Sequence, residues 1–229
     1  MLDGLKDFVV VTGHYGCGKT NLAINLAIDA AASGQKVVIA DLDLVNPYFR
    51  TSDYKKLLES RGIEVITPVF GATNLDIPSL PASMYSIFER DGVVIADVGG
   101  DDVGATVLGR FKPQFERSDY DMLYVVNRYR SLTTTAGEAV EILREIEAVS
   151  GIRATALVNN SHLMKETGMS HIKEGIGFAG EVSEQTGLRI AATAVERGLL
   201  SEISDDLYTE SLPEFGKLYP VDIYTGPGF

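Results

Sequence analysis

The sequence predicts an α/β fold: a mainly parallel sheet of seven strands between two layers of helices, α/β/α. Three observations predict it. Short, β-branched apolar runs alternate with helical patterns along the chain. Those runs are apolar at consecutive positions, as in strands buried on both faces of a parallel sheet. The chain has 229 residues, 45% hydrophobic and 23% charged, which is the composition of a folded chain and not of a disordered one. At this length one domain spanning 1–229 is expected.

The elements follow in order. Phe8 to Thr12 reads as the first strand, and Asn21 to Ala32, with apolar residues three and four apart, as a helix closed by Ser33-Gly34. Lys36–Asp41 and Ile63–Ile66 are the second and third strands, and Ser83–Arg90 is helical. Gly92–Asp97 and Asp121–Val126 are the fourth and fifth strands. Thr134–Val149 is an amphipathic helix with charged residues on its outer face. Ala154–Asn159 and Arg189–Thr193 complete the seven strands. From about 213 the chain holds three prolines and three glycines, and an irregular tail is expected there.

Composition excludes several classes. A single cysteine rules out an internal disulfide framework. No run of about 18 apolar residues is present, so no transmembrane segment is expected. The first residues, Met1 to Asp7, lack a basic stretch followed by an apolar one, so a cytoplasmic location is expected by elimination. A net charge of −12 argues against nonspecific nucleic-acid binding, which rests on neutralising phosphates. Arg110, Lys112, Arg117, Arg128 and Arg130 cluster in sequence, but Glu116, Asp119 and Asp121 dilute them into a solvated surface.

The chemistry concentrates in Gly13-His14-Tyr15-Gly16-Cys17-Gly18-Lys19-Thr20, which fits G-x-x-x-x-G-K-[ST] at every fixed position, between a strand and a helix. Glycines let the backbone wrap a phosphate with its N–H groups inward. Lys19 is suited to the β- and γ-phosphates and Thr20 to Mg²⁺, and the start of the helix adds a positive dipole end. The pattern predicts a P-loop NTPase fold. Cys17 lies within the loop, where its amide is needed and its thiol is not. Two strands end in acid at the same side of the sheet. Asp97 begins Asp97-Val98-Gly99-Gly100, and Asp41 begins Asp41-Leu42-Asp43-Leu44-Val45-Asn46-Pro47. A carboxylate at Asp97 is placed to hold a Mg²⁺ water, and the glycines after it to approach a γ-phosphate.

Over most of its length the chain resembles the MinD/ParA-like P-loop ATPases, the CobQ/CobB/MinD/ParA nucleotide-binding domain family. The phosphate loop at 13–20, the D-x-D-x-x-N-P segment at 41–47, D-x-G-G at 97–100 and the strand ending in Asn159 carry the resemblance. It implies that Asp43 orients the attacking water, that Asp41 and Asp97 lie near Mg²⁺, and that Asn159 contacts adenine. It also implies a second lysine just after the loop's first glycine, reaching a partner's nucleotide across a dimer. Here that residue is His14, followed by Tyr15. Arg50, Arg128 and Arg130 are the candidates to replace its charge. By the same analogy, Ala194–Arg197 lines the base pocket.

Asn159-Asn160-Ser161-His162 lacks the N-K-x-D pattern that reads guanine, and an Asn amide matches the adenine edge, so ATP is the expected nucleotide. His162 and His171 read as surface residues, and the last residues, Tyr219 to Phe229, contain no Lys or Arg, unlike a basic membrane helix. The expected function is a Mg·ATP-binding switch acting on a protein partner, an ATPase with slow intrinsic turnover; a homodimer stays open. The alternative is an ATP-dependent small-molecule kinase or synthetase, its substrate pocket lined by residues such as Tyr15, Tyr48, Phe49 and Arg50. A third reading is a nucleotide-binding protein that hardly hydrolyses ATP.

Overall fold

The seven expected strands form one parallel sheet, with an eighth added at its edge. The structure, a computed structural model, describes residues 2, 4–43, 51–67, 82–100, 102–203 and 216–224. Its strands are β1 (Phe8–Gly13), β2 (Val37–Leu42), β3 (Ile63–Ile66), β4 (Val93–Val98), β5 (Asp121–Val126), β6 (Ala156–Asn159), β7 (Arg189–Glu196) and β8 (Lys217–Val221). Their order across the sheet is β3-β2-β4-β1-β5-β6-β7-β8, and each neighbouring pair is parallel.

Parallel pairing puts helices on both faces, and the strands show it residue by residue. In β1, Phe8 and Val10 enter one core layer while Val9 and Val11 enter the other. Helix α1 (Lys19–Ala32) packs on the second face through Leu22, Ala23, Leu26 and Ala30, and α2 (Lys55–Ser60) adds Leu58 there. The first face is covered by α3 (Ala82–Tyr85) with its following 3₁₀ turn, α4 (Asp102–Arg110), α5 (Lys112–Phe115), α6 (Ala136–Ser150) and α7 (Met169–Thr186). Phe8, Phe88, Phe111 and Phe115 form an aromatic knot there, with Phe8 stacked on Phe88 at 4.6 Å and Phe115 edge-on to Phe88 at 5.0 Å.

The expected irregular tail is corrected in part. β8 lies within it, because Leu218 faces one apolar cluster and Tyr219 and Val221 another. Pro220 is tolerated because β8 is the last strand in the sheet order. The strand is also tied to α1: Asn25 Nδ2 donates to Asp222 O and Asn25 Oδ1 accepts from Asp222 N, at 2.9 and 2.8 Å. Asn21 Oδ1 accepts from Tyr224 N at 2.8 Å.

β1 sits at the middle of the sheet between β4 and β5, where the chain's direction of travel across the sheet reverses. In open parallel sheets ligands bind at such a point, beyond the carboxyl ends of the strands. Residues 13–18 leave β1 there.

Candidate functional site

The phosphate loop joins β1 directly to α1. Gly18 stands before the helix with φ +91°, in the left-handed region, and a Cβ there would come within 2.2 Å of Asn160 Nδ2. Glycine is required on both counts. Asn160 Nδ2 donates to Cys17 O at 2.8 Å, and so anchors the loop to the end of β6. Gly100, after β4, closes on the mouth of the loop: a Cβ at that position would lie 2.6 Å from Gly13 O and 2.7 Å from both Lys19 Nζ and Tyr15 N. The backbone after β4 thus packs against the loop at Gly100.

Within the loop, Lys19 is buried and its Nζ donates to His14 O at 3.0 Å. Burial, and then the charge of Lys19, holds His14 below its ordinary imidazole pKa, so it is neutral at pH 7. Burial pushes the Cys17 thiol up, and the thiol stays protonated. Tyr15 projects into solvent.

Asp41 and Asp97 are register partners on β2 and β4, so both stand at the carboxyl edge of the sheet on adjacent strands. Both are essentially without solvent exposure. Burial, with the Asp97 charge next, holds Asp41 well above the usual carboxylate range. Burial raises Asp97 as well, against the pull of the Thr20 and Thr51 hydroxyls and of Lys19. Asp41 Oδ1 accepts from Asp43 N at 3.1 Å, and Thr51 Oγ1 donates to Asp97 Oδ2 at 2.9 Å. Asp97 Oδ1 is buried with no hydrogen-bond partner among the described residues.

Two buried carboxylates on adjacent strands, both with raised pKa values and one with an orphaned oxygen, form an arrangement that a cation would relieve. Among the described residues no group of three or more His, Cys, Asp or Glu is placed to hold a metal. Mg²⁺ needs fewer: one or two carboxylates, waters and substrate phosphates suffice. Thr20, Asp41 and Asp97 fit that donor set.

The other residues expected at the site divide. Asn159 is buried, its Nδ2 3.3 Å from Thr193 Oγ1 and its Oδ1 accepting from Ser161 N at 3.1 Å, and it faces α7 and β7. Asn160, by contrast, touches the loop and lines a small cleft with His162, Ala194, Val195 and Glu196. Of Ala194–Arg197, the first three residues line this cleft. Val45, Asn46, Pro47, Tyr48, Phe49 and Arg50 lie outside the described residues.

Sequence reasoning missed several groups. His162 is not the surface residue expected: it is half-buried, with Nε2 3.6 Å from where a Gly18 Cβ would stand. Its Nδ1 accepts from Met164 N at 3.2 Å, which puts the ring proton on Nε2. Burial, then the charge of Arg130, lowers its pKa to about 4. Thr51 and Asn127 are fully buried and bond within the site, but a lone Thr or Asn carries no motif.

Among solved structures, the cell division protein FtsY from Thermotoga maritima is similar at 20% identity and TM-score 0.56, over 85% of this chain and 63% of that one. The signal recognition particle receptor FtsY from Elizabethkingia anophelis, in complex with GDP, is similar at 19% identity and TM-score 0.53, over 82% and 56%. The signal recognition particle 54 kDa protein from Aeropyrum pernix K1, also with GDP, is similar at 18% identity and TM-score 0.55, over 82% and 42%. This chain spans less than two thirds of each of those proteins, and likeness at such identities speaks for the P-loop NTPase fold alone. No curated protein matches the sequence. The profile of the CobQ/CobB/MinD/ParA nucleotide binding domain matches residues 8–194, from the start of β1 through most of β7, and the chain belongs to that family.

Proposed function

We propose that this chain binds Mg·ATP and acts as a slowly hydrolysing, nucleotide-dependent switch on a protein partner. The observation that supports the reading best is the convergence of the phosphate loop, Gly100 and the Asp41–Asp97 pair at the carboxyl edge of β1, β2 and β4. In this reading the N–H groups of residues 13–20 bind the phosphates and Lys19 turns from His14 O toward them. Thr20, Asp41 and Asp97 hold Mg²⁺, which when bound neutralises phosphate charge. Asp43 orients or deprotonates the attacking water. ATP is favoured over GTP because Asn159-Asn160-Ser161-His162, at the end of β6, lacks N-K-x-D, and an Asn amide matches the adenine edge. A neutral His14 supports slow turnover, since the loop itself then carries one cation, Lys19.

Asp43→Asn tests the assignment. The amide keeps the size and loses the base, so Mg·ATP affinity should stay near that of the unmodified protein while hydrolysis falls by about 10²-fold or more. Hydrolysis at the unmodified rate would make Asp43 a turn residue.

A second reading, a small-molecule kinase or synthetase, draws on one observation. A cavity of about 310 Å³ opens beside His14 and Gly100 and is lined by Asp102, Glu138, Glu141 and Glu145. Its charge suits a cationic substrate, such as an amine, next to the phosphates. ATP turnover that needs an added amine would favour this reading, and turnover indifferent to amines would favour the switch.

A further inference from the structure

A second cation lies beside the phosphate loop, and no motif marks it. Of the three arginines the sequence offers, Arg50 lies outside the described residues. Arg128 is engaged elsewhere: its Nη1 lies 3.6 Å from the Glu174 carboxylate, and its guanidinium sits 5.5 Å from the centre of the Tyr129 ring. It is turned to α7.

Arg130 behaves differently. Its Cδ and Nε lie 3.8 Å from where a Gly16 Cβ would stand, so its stem runs along the phosphate loop. Its Nε is buried and has no hydrogen-bond partner among the described residues, and among them Arg130 forms no ion pair. Its charge reaches Cys17 within the loop and His162 against it, and pulls downward on the pKa of each. The backbone that presents it is fixed. Arg130 N donates to Asn127 O at 3.2 Å, Thr133 Oγ1 donates to the same carbonyl at 2.8 Å, and Asn127 Oδ1 accepts from Tyr129 N at 3.0 Å. A desolvated guanidinium N–H without an acceptor is costly, and an anion brought to the neighbouring loop supplies one.

We propose that Arg130 is the second phosphate-binding cation of this site, its guanidinium meeting the phosphates of a nucleotide held by residues 13–20 of the same chain. The inference rests on the nucleotide-binding reading and adds a residue and a geometry to it. Because the arginine is supplied by the chain that holds the loop, its contribution needs no second copy.

The test is calorimetric titration of Mg²⁺ and the nonhydrolysable ATP analogue AMP-PNP into the unmodified protein and into Arg130→Gln, Arg130→Lys and Arg128→Gln. Arg130→Gln should lose about 10-fold or more in affinity, in line with loss of a charge-assisted contact. Arg130→Lys should recover part of that loss, and Arg128→Gln should bind like the unmodified protein. The loss should be the same at every protein concentration. Unchanged affinity in Arg130→Gln, or equal losses in all three variants, would overturn the assignment. A Lys variant as weak as the Gln variant would overturn the charge argument. If the unmodified protein bound no AMP-PNP, the nucleotide reading itself would fall, and this inference with it.

Discussion

His162 shows how the fold sets the chemistry of a single side chain. Unfolded, it titrates near 6.5; folded, burial and Arg130 take it to about 4. Between those values the unfolded chain binds more protons, so the stability held by a neutral His162 is complete above about pH 6.5 and is lost as pH falls toward 4. His162→Gln should flatten the acid side of the stability curve, by up to about 1.4 kcal/mol per pH unit within that window. Urea unfolding at a series of pH values reads this slope, and parallel curves for the two proteins would show that His162 does not titrate as described. The phosphate loop is the part of the site most legible in the sequence, because its chemistry follows from backbone amides at fixed spacing. Asp41 and Asp97 are legible too, since each closes an apolar run. Thr51, Asn127 and His162 are not. Their places depend on segments that meet only when β2, β4, β1, β5 and β6 lie side by side.

Among the elements, continuous apolar runs expose all seven expected strands, and α1 and α6 follow from helical periodicity. α7 escapes because Gly175, Gly177 and Gly180 disfavour a helix, each by about 1 kcal/mol relative to Ala. Packing accounts for the first of them: a Cβ at Gly175 would lie 2.6 Å from Ser161 Cβ, so glycine lets α7 close on the end of β6. β8 escapes because a proline within a strand argues against one, and only its edge position makes it acceptable. The tie between β8 and α1 has a measurable energy. Asn25 is buried and bonds both the N–H and the carbonyl of Asp222, so Asn25→Ala leaves two backbone groups without partners. The variant should lose about 1–3 kcal/mol of stability to chemical denaturation. A loss below about 0.5 kcal/mol would mean that water replaces both bonds at no cost, as at an ordinary surface site.

At the scale of the molecule, strand order does the positioning. β1 lies between β4 and β5, so the loop that leaves it meets Gly100 from one side and Arg130 from the other, while β2 brings Asp41 beside Asp97. The central claim is that this edge of the sheet binds a Mg²⁺-bound nucleoside triphosphate. Isothermal titration with AMP-PNP, with and without Mg²⁺, on the unmodified protein and on Lys19→Ala, tests it most directly, with a nonhydrolysable GTP analogue as competitor. One site per chain should be seen, tighter with Mg²⁺, favouring the adenine nucleotide, and weakened in Lys19→Ala by about 1.5–3 kcal/mol with the fold intact. Absence of binding by either nucleotide, or equal affinity in Lys19→Ala, would contradict the account.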